Sequence, residues 1–136
     1  MKSFVVTVLS LATTALPVSA GEWQSSEYKG LFEYTLRDGT ARLALVCDPE
    51  GIWMPPEFHV VVTDAGQFLQ GTKVDVRTET ETQTFPLSGG SIVSRDPEVW
   101  NKVVATLAKP GPITFSAGGQ DVAFTIEGEL TADCTI

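Results

Sequence analysis

Histidine occurs once in this 136-residue chain and cysteine twice, and no run of basic residues is present. A structural zinc takes four Cys or His ligands, so one histidine and a cysteine pair are too few. No Cys-x-x-Cys spacing supports thiol redox chemistry, and no Asp-x-Asp-x-Asp-Gly loop supports calcium. Ser88 and Ser91 flank Gly89-Gly90 without the Gly-x-Ser-x-Gly context, strand before and helix after, of a nucleophile elbow. No cofactor motif is found, and no cofactor is expected. Nine Lys and Arg against 17 Asp and Glu leave a net charge of −8, the wrong sign for binding nucleic acid or anionic lipid through the overall field. Beyond residue 20, no apolar run is long enough for a membrane-spanning helix.

Residues 1–20, MKSFVVTVLSLATTALPVSA, supply what the remainder lacks. Lys2 is a short positive n-region, Phe4 to Leu16 an apolar core, and Val18-Ser19-Ala20 a small-residue cleavage site. That order predicts a secretory signal peptide cut after Ala20. Pro17 and the shortness of the run argue against a membrane anchor. Lys2 is the sole charge removed, so residues 21–136, predicted to form one domain, carry −9. A cationic protein or peptide is the partner such a charge favours; acidity that merely keeps an exported protein soluble is the alternative. In an oxidising compartment two cysteines read as one disulfide, Cys47 to Cys134. On the chain-entropy account it would contribute roughly 4 to 5 kcal/mol.

The stretch from Leu31 to Gly51 organises the rest. Phe32, Tyr34 and Leu36 alternate with Glu33, Thr35 and Arg37; then, beyond Arg37-Asp38-Gly39, Leu43, Leu45 and Cys47 alternate with Arg42, Ala44 and Val46. Period-2 patterning around Asp-Gly predicts a hairpin, closed by a second turn at Asp48-Pro49-Glu50-Gly51. Ile52-Trp53-Met54-Pro55-Pro56 is a loop, because two prolines forbid ladder pairing. Trp53 and Met54 there are either a partner-binding anchor or a plug for the end of the fold. Glu57 to Thr63 is the most β-prone run, with Phe58, Val60 and Val62 on one face and His59, Val61 and Thr63 on the other. Thr72 to Arg77 is a further strand. Thr78 to Thr84 alternates without an apolar face, as an edge ribbon or a polar hairpin tip, and Ser88-Gly89-Gly90-Ser91 is a flexible loop.

One helix is expected, from Pro97 to Ala108. Asp96 is its N-cap, and Pro97 sits at the first helical position, where the missing N–H costs nothing. Val99, Trp100, Val103, Val104 and Leu107 form its apolar stripe; Glu98, Asn101, Lys102 and Thr106 face outward. Strands at Ile113 to Ala117 and Asp121 to Ile126 follow, and Thr131 to Thr135 is expected to return as a strand carrying Cys134. Seven or eight short strands with regular turns predict a mainly all-β fold, an antiparallel β-sandwich or partly open barrel with one helix.

Catalytic groups are sparse. His59 lies among apolar neighbours and reads as structural. Glu79 and Glu81, like Glu127 and Glu129, fall at i, i+2 on one strand face. Such pairs hydrolyse glycosides only where an apolar pocket raises one pKa, and these lie in polar sequence. Trp23, the strand pair leading into Leu45-Val46-Cys47-Asp48, the valine-rich strand, the short helix and Phe124-Thr125-Ile126-Glu127-Gly128 ahead of Cys134 follow one another in a familiar order. Over most of residues 21–136 this resembles the invasion-associated locus B proteins and, more distantly, type VI secretion-associated proteins of the TagO kind. The resemblance implies a periplasmic β-sandwich acting through protein contacts or in envelope maintenance. In being small, acidic, β-rich and disulfide-tied, the chain is also similar to the periplasmic lysozyme inhibitors. The expectation is therefore a non-enzymatic periplasmic or secreted interaction module, with Trp53, Met54, Glu79 and Glu81 as candidate partner-binding residues. An inhibitor of a cationic hydrolase such as lysozyme and a small hydrolase using a carboxylate pair are the alternatives.

Overall fold

The computed structural model describes residues 21–136; the predicted signal peptide, residues 1–20, lies outside the described residues. Ten strands and one helix follow in chain order: β1 Gln24–Tyr28, β2 Leu31–Asp38, β3 Ala41–Cys47, β4 His59–Asp64, β5 Gln67–Phe68, β6 Lys73–Arg77, β7 Thr82–Pro86, β8 Ser91–Val93, α1 Pro97–Leu107, β9 Gly111–Ala117 and β10 Gln120–Ile126. They form two antiparallel sheets, one ordered β1-β2-β3-β4-β5 with β8 also on β4, the other β10-β9-β6-β7. The fold is an open β-sandwich, not a barrel, and it has more strands than the patterning predicts. The short β5 and β8 and the wholly exposed β1 carry no apolar alternation to announce them.

The predicted hairpin is β2–β3, in register from Phe32↔Cys47 to Asp38↔Ala41. Its connection is Gly39-Thr40, one residue later than the sequence suggests. Leu36, Leu43 and Leu45 are fully buried, as their period-2 placement requires. Ala44 and Val46, on the other face of β3, are buried as well. They sit mid-sheet, with Glu33 and His59 as the cross-strand neighbours of Val46. Arg42 Nη2 reaches Glu33 Oε1 at 2.6 Å, a bridge that has to pass over the small Ala44.

Between the sheets, Leu43, Leu45, Val60, Val62 and Ile92 meet Val74, Val76, Phe85, Phe115 and Phe124 in one core. Helix α1 closes it along one side. Asp96 accepts from the backbone N–H groups of Glu98 and Val99, and Trp100, Val103, Val104 and Leu107 are buried. Thr106, predicted to face outward, is buried instead. Its hydroxyl donates to the Lys102 carbonyl at 2.8 Å and lies 3.4 Å from Gln83 Nε2, so an intrahelical bond satisfies it in an apolar setting.

Cys47 and Cys134 are joined in the predicted disulfide, with Cα atoms 5.4 Å apart. The segment bringing Cys134 back is irregular, not the strand expected over Thr131 to Thr135. Helix side chains do the pairing there. Trp100 Nε1–H donates to the Cys134 carbonyl at 2.6 Å, and Asn101 exchanges hydrogen bonds with the backbone of Ile136. Once those bonds are made, the tail needs no ladder partner.

Candidate functional site

The segment between β3 and β4, residues 48–58, is held at both ends and exposed in the middle. Asp48 follows the disulfide cysteine and is only 1% exposed. Its carboxylate accepts from Ile52 N–H at 3.0 Å and Trp53 N–H at 2.8 Å, while its carbonyl accepts from Gly51 N–H at 3.1 Å. A buried carboxylate saturated by backbone donors organises a loop much as a bound anion would. Ile52 packs over Gly30, whose φ of 80° favours glycine and where a Cβ would displace the tip of the Ile52 side chain. At the far end Phe58 returns to the core, edge-on to Trp100 at 5.7 Å.

In between, Met54 is 89% and Ile52 54% exposed. Trp53 is half-buried and is not among the residues packed against the main core. Its indole N–H is shielded without a hydrogen-bond partner among the described residues. Segment 48–58 is thus a fixed strap presenting large apolar groups.

A cleft of about 230 Å³ opens beside the strap. Pro55, Pro56, Phe58 and Val93 give it apolar walls, and Glu57, His59 and Arg95 its polar rim. Pairing of β4 with β8, His59 opposite Val93, brings the loop after β8 to this place. Burial holds the His59 imidazole below its ordinary pKa, against the pull of Glu57 and Glu33, so the ring is neutral at pH 7. Glu57 Oε2 lies 3.5 Å from His59 Nδ1.

Glu79 and Glu81 stand elsewhere, on the connection between β6 and β7. They do not share a strand face, because Thr78 N–H donates to the Glu81 carbonyl at 2.9 Å and closes a hairpin tip. Of the two readings for this stretch, the tip is the one adopted. Glu81 is met by Lys109 Nζ at 3.4 Å, and Glu79 lies near Gly111. Glu127 and Glu129 lie beyond the end of β10, both exposed. No hydrogen bond or ion pair among the described residues links the strap to the β6–β7 tip.

Sequence reasoning missed Asp48 as an organiser and Arg95 as a site residue. The Asp-Pro-Glu-Gly turn signal concealed the first, since an N–H-accepting carboxylate and a turn-favouring one look alike. Arg95 had no signal at all; only the return of β8 to β4 places it there. Among the described residues no group of three His, Cys, Asp or Glu side chains is placed to hold a metal ion. No helix of these residues is long and apolar enough to cross a membrane. Comparison with known proteins finds no match among protein-family models, curated proteins or solved structures.

Proposed function

We propose that the protein is an exported, non-enzymatic interaction module, acting in the bacterial periplasm or outside the cell and binding a protein through the strap. One observation carries this reading: Met54 and Ile52 are largely exposed on a segment pinned by the buried Asp48 carboxylate. A backbone pinned in advance needs little further ordering on binding, which favours a contact surface. The disulfide and the predicted signal peptide support export, and the landmarks shared with the invasion-associated locus B and TagO-like proteins support a role in the envelope.

The test compares parent and Met54→Asp as bait for envelope proteins under identical conditions. A partner retained by the parent should be lost from the variant, with thermal unfolding unchanged because Met54 touches no core. Equal retention by both overturns the strap as the contact surface. A second reading, inhibition of a cationic hydrolase such as lysozyme, draws on the exposed acidic β6–β7 tip, where Glu79 and Glu81 are both in solvent. Slowed cell-wall lysis by lysozyme, relieved in Glu79→Gln/Glu81→Gln, would select it.

A further inference from the structure

We propose that the cleft beside the strap binds the free C-terminal carboxylate of a peptide whose last residue is apolar. This deepens the interaction reading and rests on it only in taking this end of the molecule as the contact surface. Charge is the first argument. Arg95 lines the cleft and enters no ion pair among the described residues. Its neighbour Asp96 is committed elsewhere, with Oδ1 accepting from Glu98 and Val99 N–H at 2.9 and 3.4 Å. Glu57 lines the same cleft, its carboxylate 3.5 Å from His59 Nδ1, so a ligand carboxylate would have to sit on the Arg95 side of the cleft. Arg37 and Arg77 likewise enter no ion pair among the described residues; what sets Arg95 apart is its place on an apolar-walled cleft. Its planar fork suits a carboxylate brought in by a ligand.

Shape is the second argument. Pro55, Pro56, Phe58 and Val93 offer an apolar lining, and Val93 is 48% exposed with nothing of the described chain covering it. About 230 Å³ falls below the roughly 300 Å³ at which sites for whole small molecules begin. That room suits a chain end: one side chain against the prolines and its carboxylate at Arg95, with the preceding residues leaving through the open mouth. A long acyl chain would keep most of its methylenes in water.

Rigidity is the third. One wall belongs to the strap fixed by Asp48 and Phe58, and Arg95 sits between β8 and the capped start of α1. The backbone around the cleft is thus held before a ligand arrives, and the exposed Arg95 side chain is what remains to be ordered.

The experiment titrates ¹⁵N-labelled protein with N-acetyl-Gly-Ser-Val-Leu as the free acid, with the same peptide as its C-terminal amide, and with octanoate. The acid should shift the backbone resonances of His59, Val93 and Arg95 and bind at least about tenfold more tightly than the amide, as loss of a charge-assisted pair requires. Arg95→Gln, an exposed position, should fold normally and reduce the acid to the level of the amide. Equal binding of acid and amide, shifts confined to other residues, or no shift overturns the proposal. Octanoate binding as well as the acid peptide overturns the chain-end assignment. A cleft that binds the acid while Met54→Asp retains every partner sinks the strap reading alone, whereas partner loss without acid binding sinks the chain-end reading alone.

Discussion

At the scale of single residues, two side chains couple stability to pH in opposite directions. Burial lowers the His59 pKa from the ordinary 6.5, so the unfolded chain takes up a proton first as pH falls. Its contribution to stability is complete above about pH 6.5 and is lost as pH drops from there through the folded value. Tyr34 is raised from 10.0, first by burial and then by Asp133. Its contribution is complete below about pH 10 and is lost as pH rises beyond it. Denaturant midpoints measured from pH 8 to pH 5 should therefore decline less steeply in His59→Gln than in the parent. Parallel curves would show that the ring is not desolvated. The histidine's partial burial was legible from its apolar neighbours on the Glu57 to Thr63 strand. The cleft around it was not, since Arg95 arrives from 36 positions away through a three-residue strand that no periodicity marks.

At the scale of elements, legibility followed how much each one relies on its own pattern. The β2–β3 hairpin and α1 carry complete local signals: alternation around a Gly turn, an N-cap Asp, Pro at the first position and a clean stripe. Both appear where expected. β1 and the tail carry none, and there reading by pattern failed. β1 is exposed at all five positions and, as the edge strand, pairs only with β2. The tail is ordered by partners distant in sequence. Trp100 links these two kinds of element. It belongs to the readable stripe of α1, meets Phe58 at the end of the strap, and donates to the carbonyl of Cys134. Trp100→Ala should destabilise by about 3 to 5 kcal/mol, the usual loss for a large buried aromatic. Trp100→Phe should recover most of the packing but leave that carbonyl unpaired, keeping about 1 kcal/mol of the loss. Urea melts that rank parent, Phe and Ala in any other order would contradict this packing.

At the scale of the whole molecule, charge and hydrophobic exposure are distributed unevenly. The full chain carries a net charge of −8, and of its exposed large apolar side chains Met54, Ile52 and Val93 stand at or beside the strap, with Tyr28, Phe68 and Ile136 elsewhere. A partner with a basic surface would be drawn by the overall field, which salt screens over about 8 Å at physiological ionic strength. It would be held by the apolar strap, which salt does not screen. Composition made the negative charge readable. The pinned strap was not, because it depended on knowing that Asp48 is buried and not merely part of a turn.

Gly21 adds one further consequence. Its N–H donates to the Arg37 carbonyl of β2 at 3.0 Å, and its carbonyl accepts from Glu127 N–H, just beyond β10, at 2.8 Å. It is buried at φ 92°, with the Thr125 carbonyl where a Cβ would go, so no other residue fits without displacement. A single glycine therefore stitches one sheet to the other. If a leader ends at Ala20, a peptidase cutting one bond too late would remove the stitch along with the leader. Protein spanning residues 22–136 should melt below protein spanning 21–136, by an amount in keeping with two lost hydrogen bonds, about 1 to 3 kcal/mol; equal melting would show the stitch to be idle. The accuracy of processing then becomes a term in the stability of the product, and a misprocessed molecule announces itself by loosening along the seam where its two halves meet.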